Sequence, residues 1–162
     1  MSTLYVDTIT EKTLGNGVQI AGHVVQVVTA AMSSAVTNST QAWVDTSLSA
    51  AITPSSSNSK ILVLVTHPAI VTRTTSDNWL GGIKLLRDST VIGNGANYTM
   101  GQTHQNGTLS GSGSTWWWWT SHELDSPATT SSITYKTQSY ADSSGSVTAS
   151  TKGRMTLMEI AQ

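Results

Sequence analysis

"KILVLVTHPAIV", residues 60–71, is the strongest apolar run in the chain. It is shorter than the ~18 residues a membrane span needs. A polar turn, "SSSNS" (55–59), precedes it, and a polar loop, "TRTTSDNW" (72–79), follows it. A short aliphatic run with such bounds reads as a fully buried strand at the centre of a sheet. The segments on either side repeat the strand–turn–strand pattern. "HVVQVVTA" (23–30) is dense in β-branched residues, and "QAWVDTSLSAAITP" (41–54) alternates loosely until Pro54. "GGIKLLRDSTVIGNG" (81–95) reads as two short strands around Asp88-Ser89-Thr90. "SITYKTQSYA" (132–141) places Ile133, Tyr135 and Thr137 on one face, opposite Thr134 and Lys136. "GRMTLMEIAQ" (153–162) sets Met155, Leu157 and Glu159 opposite Thr156, Met158 and Ile160.

The remaining segments read as connections: "YTMGQTHQNGTLSGSGS" (98–114) as a long, Gly-rich, flexible one, "HELDSPATTS" (122–131) as a loop and "DSSGS" (142–146) as a turn. No helical period runs over 11 or more residues; "VTAAMSSAV" (28–36) is the one weak candidate. Eight or nine short strands with turn signals every ~8–12 residues are the pattern of an antiparallel β-sandwich of jelly-roll type. Composition agrees. Ser (24) and Thr (26) together make up 50 of the 162 residues. Thr suits strands and Ser suits turns.

"STWWWWT" (114–120) has the second decisive pattern. In a strand, successive side chains point to opposite faces. Trp116 and Trp118 then share one face, and Trp117 and Trp119 the other. Each buried indole removes on the order of 150–250 Å² from water. One pair is expected to fill the sandwich core, leaving the other as an oligomer interface or a sugar-stacking platform. Trp43 lies in strand-like sequence and is expected in the core. Trp79, with Asn78 in "SDNWLGG", ends a loop and is a candidate receptor-facing contact.

Residues 1–22 differ from the rest. Leu4, Val6 and Ile9, then Val18 and Ile20, form two apolar pieces around Gly15-Asn16-Gly17. Each is too short to bury itself, while disordered tails are poor in such residues. The segment reads as an arm or stem that packs on a partner, with residues 23–162 as the head.

Charge and composition exclude several functions. Net charge is −1, and the eight Lys and Arg residues are scattered, so no basic face for nucleic acid is expected. No membrane insertion and no secretion signal are expected either. Cysteine is absent, which removes disulfides and thiolate chemistry. Oligomer burial is the usual substitute for crosslinks.

Catalytic motifs are also missing. G-x-S-x-G does not occur, and "GSGS" (111–114) has the wrong spacing. "HELDS" (122–126) lacks the second His of a zinc-protease helix. His23, His67, His104 and His122 show no ligand spacing. Glu123 and Asp125 read as solvated acids in a polar loop. The sequons at Asn38, Asn97 and Asn106 are expected by chance in a chain so rich in Ser, Thr and Asn. The chain reads as a non-enzyme with no cofactor.

Three segments carry a family resemblance: "STLYVDTITEKTLGNGVQIAGHVVQVV" (2–28), "WVDTSLSAAITPSSSNSKILVLV" (43–65) and "GRMTLMEIAQ" (153–162). Together they resemble small virion proteins of tailed bacteriophages, the short tail-fibre-like and decoration-like kind. Residues 70–130, including the Trp run, depart from that pattern. The resemblance implies a homotrimer with a β-structured N-terminal stem and a C-terminal β-sandwich head. It also implies assembly in the host cytoplasm, other virion proteins of tail or capsid as partners, and variable loops facing a host surface glycan. A tail-fibre component, a capsid decoration protein and a free carbohydrate-binding module are the three expectations carried forward.

Overall fold

The computed structural model describes Thr8 and residues 20–74, 79–93, 100–105 and 112–162. These residues form two antiparallel sheets packed face to face as a sandwich, with eleven strands. In chain order they are β1 (Val24–Ala31), β2 (Val36–Asn38), β3 (Val44–Ile52), β4 (Lys60–Arg73), β5 (Trp79–Arg87), β6 (Thr90–Val91), β7 (Gly101–Gln105), β8 (Gly113–Asp125), β9 (Ile133–Ala141), β10 (Gly145–Ala149) and β11 (Arg154–Ile160). The first sheet holds β8, β4, β11 and β1, with β10 and β2 continuing beside the second half of β4. The other sheet runs β3–β9–β5, with β6 and β7 both on the far side of β5.

The 60–71 run is the central strand the sequence implies, extended to Arg73. β8 pairs with β4 along one side, from Ile61↔Asp125 to Arg73↔Gly113. On the other side β11 pairs as far as Thr66, and β10 takes over at Ala69. Pro68 lies between those two partners. A proline is tolerated there because the handover asks for no N–H donor at that residue. Its carbonyl still accepts a bond from Ser150 N at 2.9 Å.

The alternations expected in β9 and β11 both hold. Ile133, Tyr135 and Thr137 face inward, as do Met155, Leu157 and Glu159. They meet Leu48, Ile61, Val63, Val71, Ile83 and Leu85 in the core between the sheets. Full burial of such side chains contributes ~1.5–3 kcal/mol each. Asp88 closes the β5–β6 hairpin in the left-handed region (φ 51°), a conformation Asp tolerates. Its carboxylate accepts a bond from Thr134 N at 2.9 Å.

Several expectations are corrected. "HELD" is not a loop, because β8 continues through it in register with β4. The 98–114 connection contains β7, which pairs with β5. β2 and β10 are strands that short, polar sequence concealed, and "VTAAMSSAV" is the end of β1, a bend and the start of β2. The arm residues Leu4, Val6, Ile9 and Val18 lie outside the described residues. Ile20 is exposed, and its carbonyl accepts a bond from His23 N at 2.9 Å.

Candidate functional site

The four tryptophans separate three to one. Trp116, Trp117 and Trp118 are 53%, 38% and 59% exposed, whereas Trp119 is 6% exposed. The strand geometry is as read, with 117 and 119 on the inward side, but only Trp119 reaches the core. β8 is the outer strand of its sheet among the described residues, so inward positions are covered only where the second sheet extends over them. Gly101 of β7 provides that cover at Trp119. A Cβ built on Gly101 would lie 2.4 Å from the Trp119 ring, so the indole fits only because the side chain is missing.

Trp79 is the reverse of the expectation. It is fully buried, not receptor-facing. Gly81 and Gly145 make its slot, since a Cβ on either would come within 2.0–2.1 Å of the indole. Asn78 lies outside the described residues. Trp43 also departs from the reading. It is half-buried on the outside of the second sheet, against Tyr140 (ring centroids 5.4 Å apart), with Lys84 Nζ 4.3 Å over its ring.

Outward side chains of the first sheet form two apolar groups with a polar band between them, made of Thr29, Thr156 and His122 and then Arg154, Thr66 and Thr120. β1 gives Val24 and Val27, and β11 gives Met158 and Ile160. Leu62, Leu64, Pro68 and Ile70 stand on β4, with Leu124, Trp118 and Trp116 beside them on β8. Val24, Val27, Leu64, Trp116, Trp118 and Leu124 are all exposed. No acidic residue stands at an outward position of these four strands; Lys60 and Arg154 are the charges there, and Lys152 reaches over Trp116 at 5.9 Å. β11 and β1 flank β4 only as far as Thr66, so the second group, Pro68, Ile70, Trp116 and Trp118, has Thr148 of β10 as its neighbour on that side.

The acids expected to be solvated are tied in. Asp125 accepts two bonds from Arg87 Nη1, at 2.8 and 2.6 Å, and one from Tyr135 OH at 2.7 Å. Arg87 and Tyr135 belong to the second sheet, so Asp125 pins the end of β8 across the sandwich. Burial and then the bond to Asp125 push the Tyr135 phenol above its ordinary range. Glu123 and Asp125 do share a face, but Asp125 is committed to structure and Glu123 accepts from Ser121 Oγ at 3.2 Å.

Two further polar groups are buried. Glu159 accepts from Ser55 N (2.8 Å), Ser55 Oγ (2.6 Å) and Gln26 Nε2 (2.6 Å). Burial raises its carboxyl, but the bonds from Ser55, Gln26 and Ser59 outweigh that and hold it below the usual range. His67 lies in the core with Nε2 3.4 Å from Thr46 Oγ1, which is 2.6 Å from Thr137 Oγ1. Burial pushes the imidazole down to about 4. Asn38, the sequon asparagine among the described residues, is buried and donates to Ala42 O and Ser139 O at 3.0 and 2.7 Å. Among the described residues no group of three or more His, Cys, Asp or Glu could hold a metal ion.

Comparison with known proteins adds little to this geometry. No family model matches the chain, and no curated protein does. A chain in the structure of the infectious bursal disease virus Gx strain is similar over 96% of this chain and 37% of its own length, at 13% identity and a TM-score of 0.42. The chain thus spans little more than a third of that viral chain.

Proposed function

We propose that the chain is a non-enzymatic structural protein of a tailed-phage virion, a trimeric tail-fibre or receptor-binding component. One observation carries the reading: the outer face of the first sheet exposes Val24, Val27, Leu64, Leu124, Trp116 and Trp118. Monomers rarely expose a contiguous apolar patch of more than a few hundred Å². A sister subunit covers such a face and shields the open edge of β8. These side chains are spread over four strands with Thr, His and Arg between them, wider than a single sugar ring, which favours a protein partner. Residues 1–22, with Leu4, Val6, Ile9, Val18 and Ile20, attach the trimer to the particle. The family resemblance of the chain's two ends supports that placement.

The test has two arms. Light scattering of the purified chain is expected to give about three times 17.1 kDa, and a stable monomer would overturn the assembly. Phage lacking the protein are expected to lose adsorption to host cells. Normal adsorption with weakened capsids would replace the fibre reading with a capsid decoration protein.

A further inference from the structure

The first sheet ends in two open edges. β8 stands at one, and at the other β1 and then β2 follow each other in a single stretch of chain. Among the described residues no strand pairs with the outer side of either edge. Edge strands are usually short, bulged, or blocked by Lys or Pro. Residues 24–38 contain no charge and no proline, and the bulge of β1 lies at its start, between Val24 and Gln26. β8 is 13 residues long and pairs with β4 without a register shift. It has no charge and no proline from 113 to 121. The second sheet carries the protection that the first lacks. β3 has Asp45, a register shift between Asp45 and Ser49, and Pro54 just beyond its end. β6 and β7 are only two and five residues long.

Direction and width fit the two open edges to each other. The ladders set β1 and β2 parallel to β4 and opposite to β8. A second copy, rotated about an axis along the strands, therefore brings its β8 antiparallel to β1. One row of the sheet, Val27–Met158–Leu62–Leu124, is apolar from edge to edge. Lys60 and Arg154 flank that row, and Arg154 Nη1 is turned back onto the carbonyls of Thr151 and Gly153, at 3.0 and 2.8 Å. Four strands ~4.8 Å apart make a sheet ~19 Å wide, and three such sheets joined as a triangular prism each lie ~5.5 Å from the axis. That is about half the ~10 Å between packed sheets, so side chains of the three faces fill the interior.

We propose that β1 of one copy pairs antiparallel with β8 of the next, Val27 opposite Leu124, closing three first sheets into one ring. A β8–β8 or β1–β1 contact is isologous; it makes a dimer and leaves the other edge open. The unlike pairing uses both edges. The inference deepens the proposed trimer and rests on it.

The test is disulfide trapping in the full chain, which has no cysteine of its own. Within one copy Val27 and Leu124 are three strand spacings apart, ~14 Å, beyond the ~7 Å between Cα atoms that a disulfide spans. A bond between Val27→Cys and Leu124→Cys therefore forms only between copies. Both side chains are exposed on the single head, so the substitutions leave folding intact, and circular dichroism checks it. Oxidation of the double variant is expected to give covalent trimers on a non-reducing gel. Each single variant, and Val27→Cys/Thr120→Cys, four residues out of register, is expected to give at least about tenfold less crosslinked product. A chain that is trimeric by light scattering but gives no crosslink in the double variant would overturn the edge pairing and leave the trimer standing. Efficient dimers from either single variant would overturn it in favour of a like-with-like contact. So would trapping of the Thr120 pair as efficient as that of the Leu124 pair. A monomer in light scattering would remove the trimer and this contact together.

Discussion

The two outer faces of one sandwich are built from the same strand geometry and have different chemistry. On the first sheet the outward positions carry Val, Leu, Ile, Met and Trp together with Thr29, Thr66, Thr120, Thr156, His122, Lys60 and Arg154, and no acid. On the second they include Asp45, Lys84, Thr134, Lys136, Gln138 and Tyr140, with a Lys136–Asp45 ion pair at 2.8 Å. Burial of apolar area is non-directional and scales with the surface removed from water, which suits a wide partner. Hydrogen-bonding groups fixed around an aromatic ring give orientation and specificity, which suits a small ligand. The first sheet thus shows more large apolar side chains to water, and the second more hydrogen-bonding groups.

The largest effect should come from the layer both faces share. Trp79→Ala empties a slot shaped by Gly81 and Gly145 and is expected to cost ~3–5 kcal/mol. Denaturant unfolding should show the head destabilised and both faces lost together. If amide exchange in β3 and β9 stayed slow while that in β4 and β11 became fast, the two sheets would fold separately and the comparison would fail.

Acid acts on the same layer. His67 has its imidazole lowered to about 4 in the fold, against ~6.5 when unfolded. The unfolded chain therefore binds more protons between those values. Stability is full above about pH 6.5 and falls as pH drops toward 4, by roughly 3 kcal/mol in all. Glu159 and Asp45, both held below their ordinary range, add losses in the same direction below about pH 4.5. For Asp45, burial opposes the lowering, and the bonds from Lys136 and Gln138 outweigh it. Urea midpoints of native and His67→Leu chains from pH 7 to pH 4 check this. The variant should show a flatter slope, and an unchanged slope would remove His67 from the account.

The tie between the sheets comes next. Asp125→Ala leaves Arg87 and Tyr135 without their shared acceptor and should cost about 2 kcal/mol. Hydrogen exchange should report it first in the 121–125 end of β8, and exchange unchanged there would show that β4 alone holds that strand. The smallest effect on folding sharpens the comparison most. Trp116→Ser/Trp118→Ser should change the stability of a dilute head by less than about 1 kcal/mol yet shift light-scattering mass toward the monomer. Unfolding of the head in that variant would mean that these indoles support the core.

Much of the fold was legible where burial imposes a period. β9 and β11 alternate so regularly that the sequence already sets Glu159 on one face with Met155 and Leu157, the face that turns out to be buried. The central role of residues 60–71 and the hairpin at Asp88 were equally readable. What escaped was set by partners distant in sequence. Trp79 reads as a loop end because its slot depends on Gly145, far along the chain. The "HELD" end of β8 reads as a loop because an edge strand shows polar side chains to water, and only its register with β4 reveals it. Trp43 reads as core because β-rich sequence surrounds it, although it lies before the first residue of β3. The outer apolar face was half legible. The tryptophans signalled it, but Val24, Val27, Leu64 and Leu124 joined them only when four strands were laid side by side. The aromatic and polar spot on the second sheet had no local signal, since its residues come from separate strands.

Among the described residues β1 pairs with β11 and with no other strand of its sheet, and Val24 meets Ile160 at the end of that ladder. The ribosome therefore releases the first strand long before its mate exists. At ~5–20 residues per second, the wait is on the order of ten seconds. Throughout it β1 has an unpaired edge, and β4 lacks its neighbour on one side. The head can close only after residues 154–160 emerge, and then in a late, long-range step of the kind that slows folding. On a polysome, many such waiting strands lie close together. Under the proposed assembly, sister chains meet there before each has finished itself.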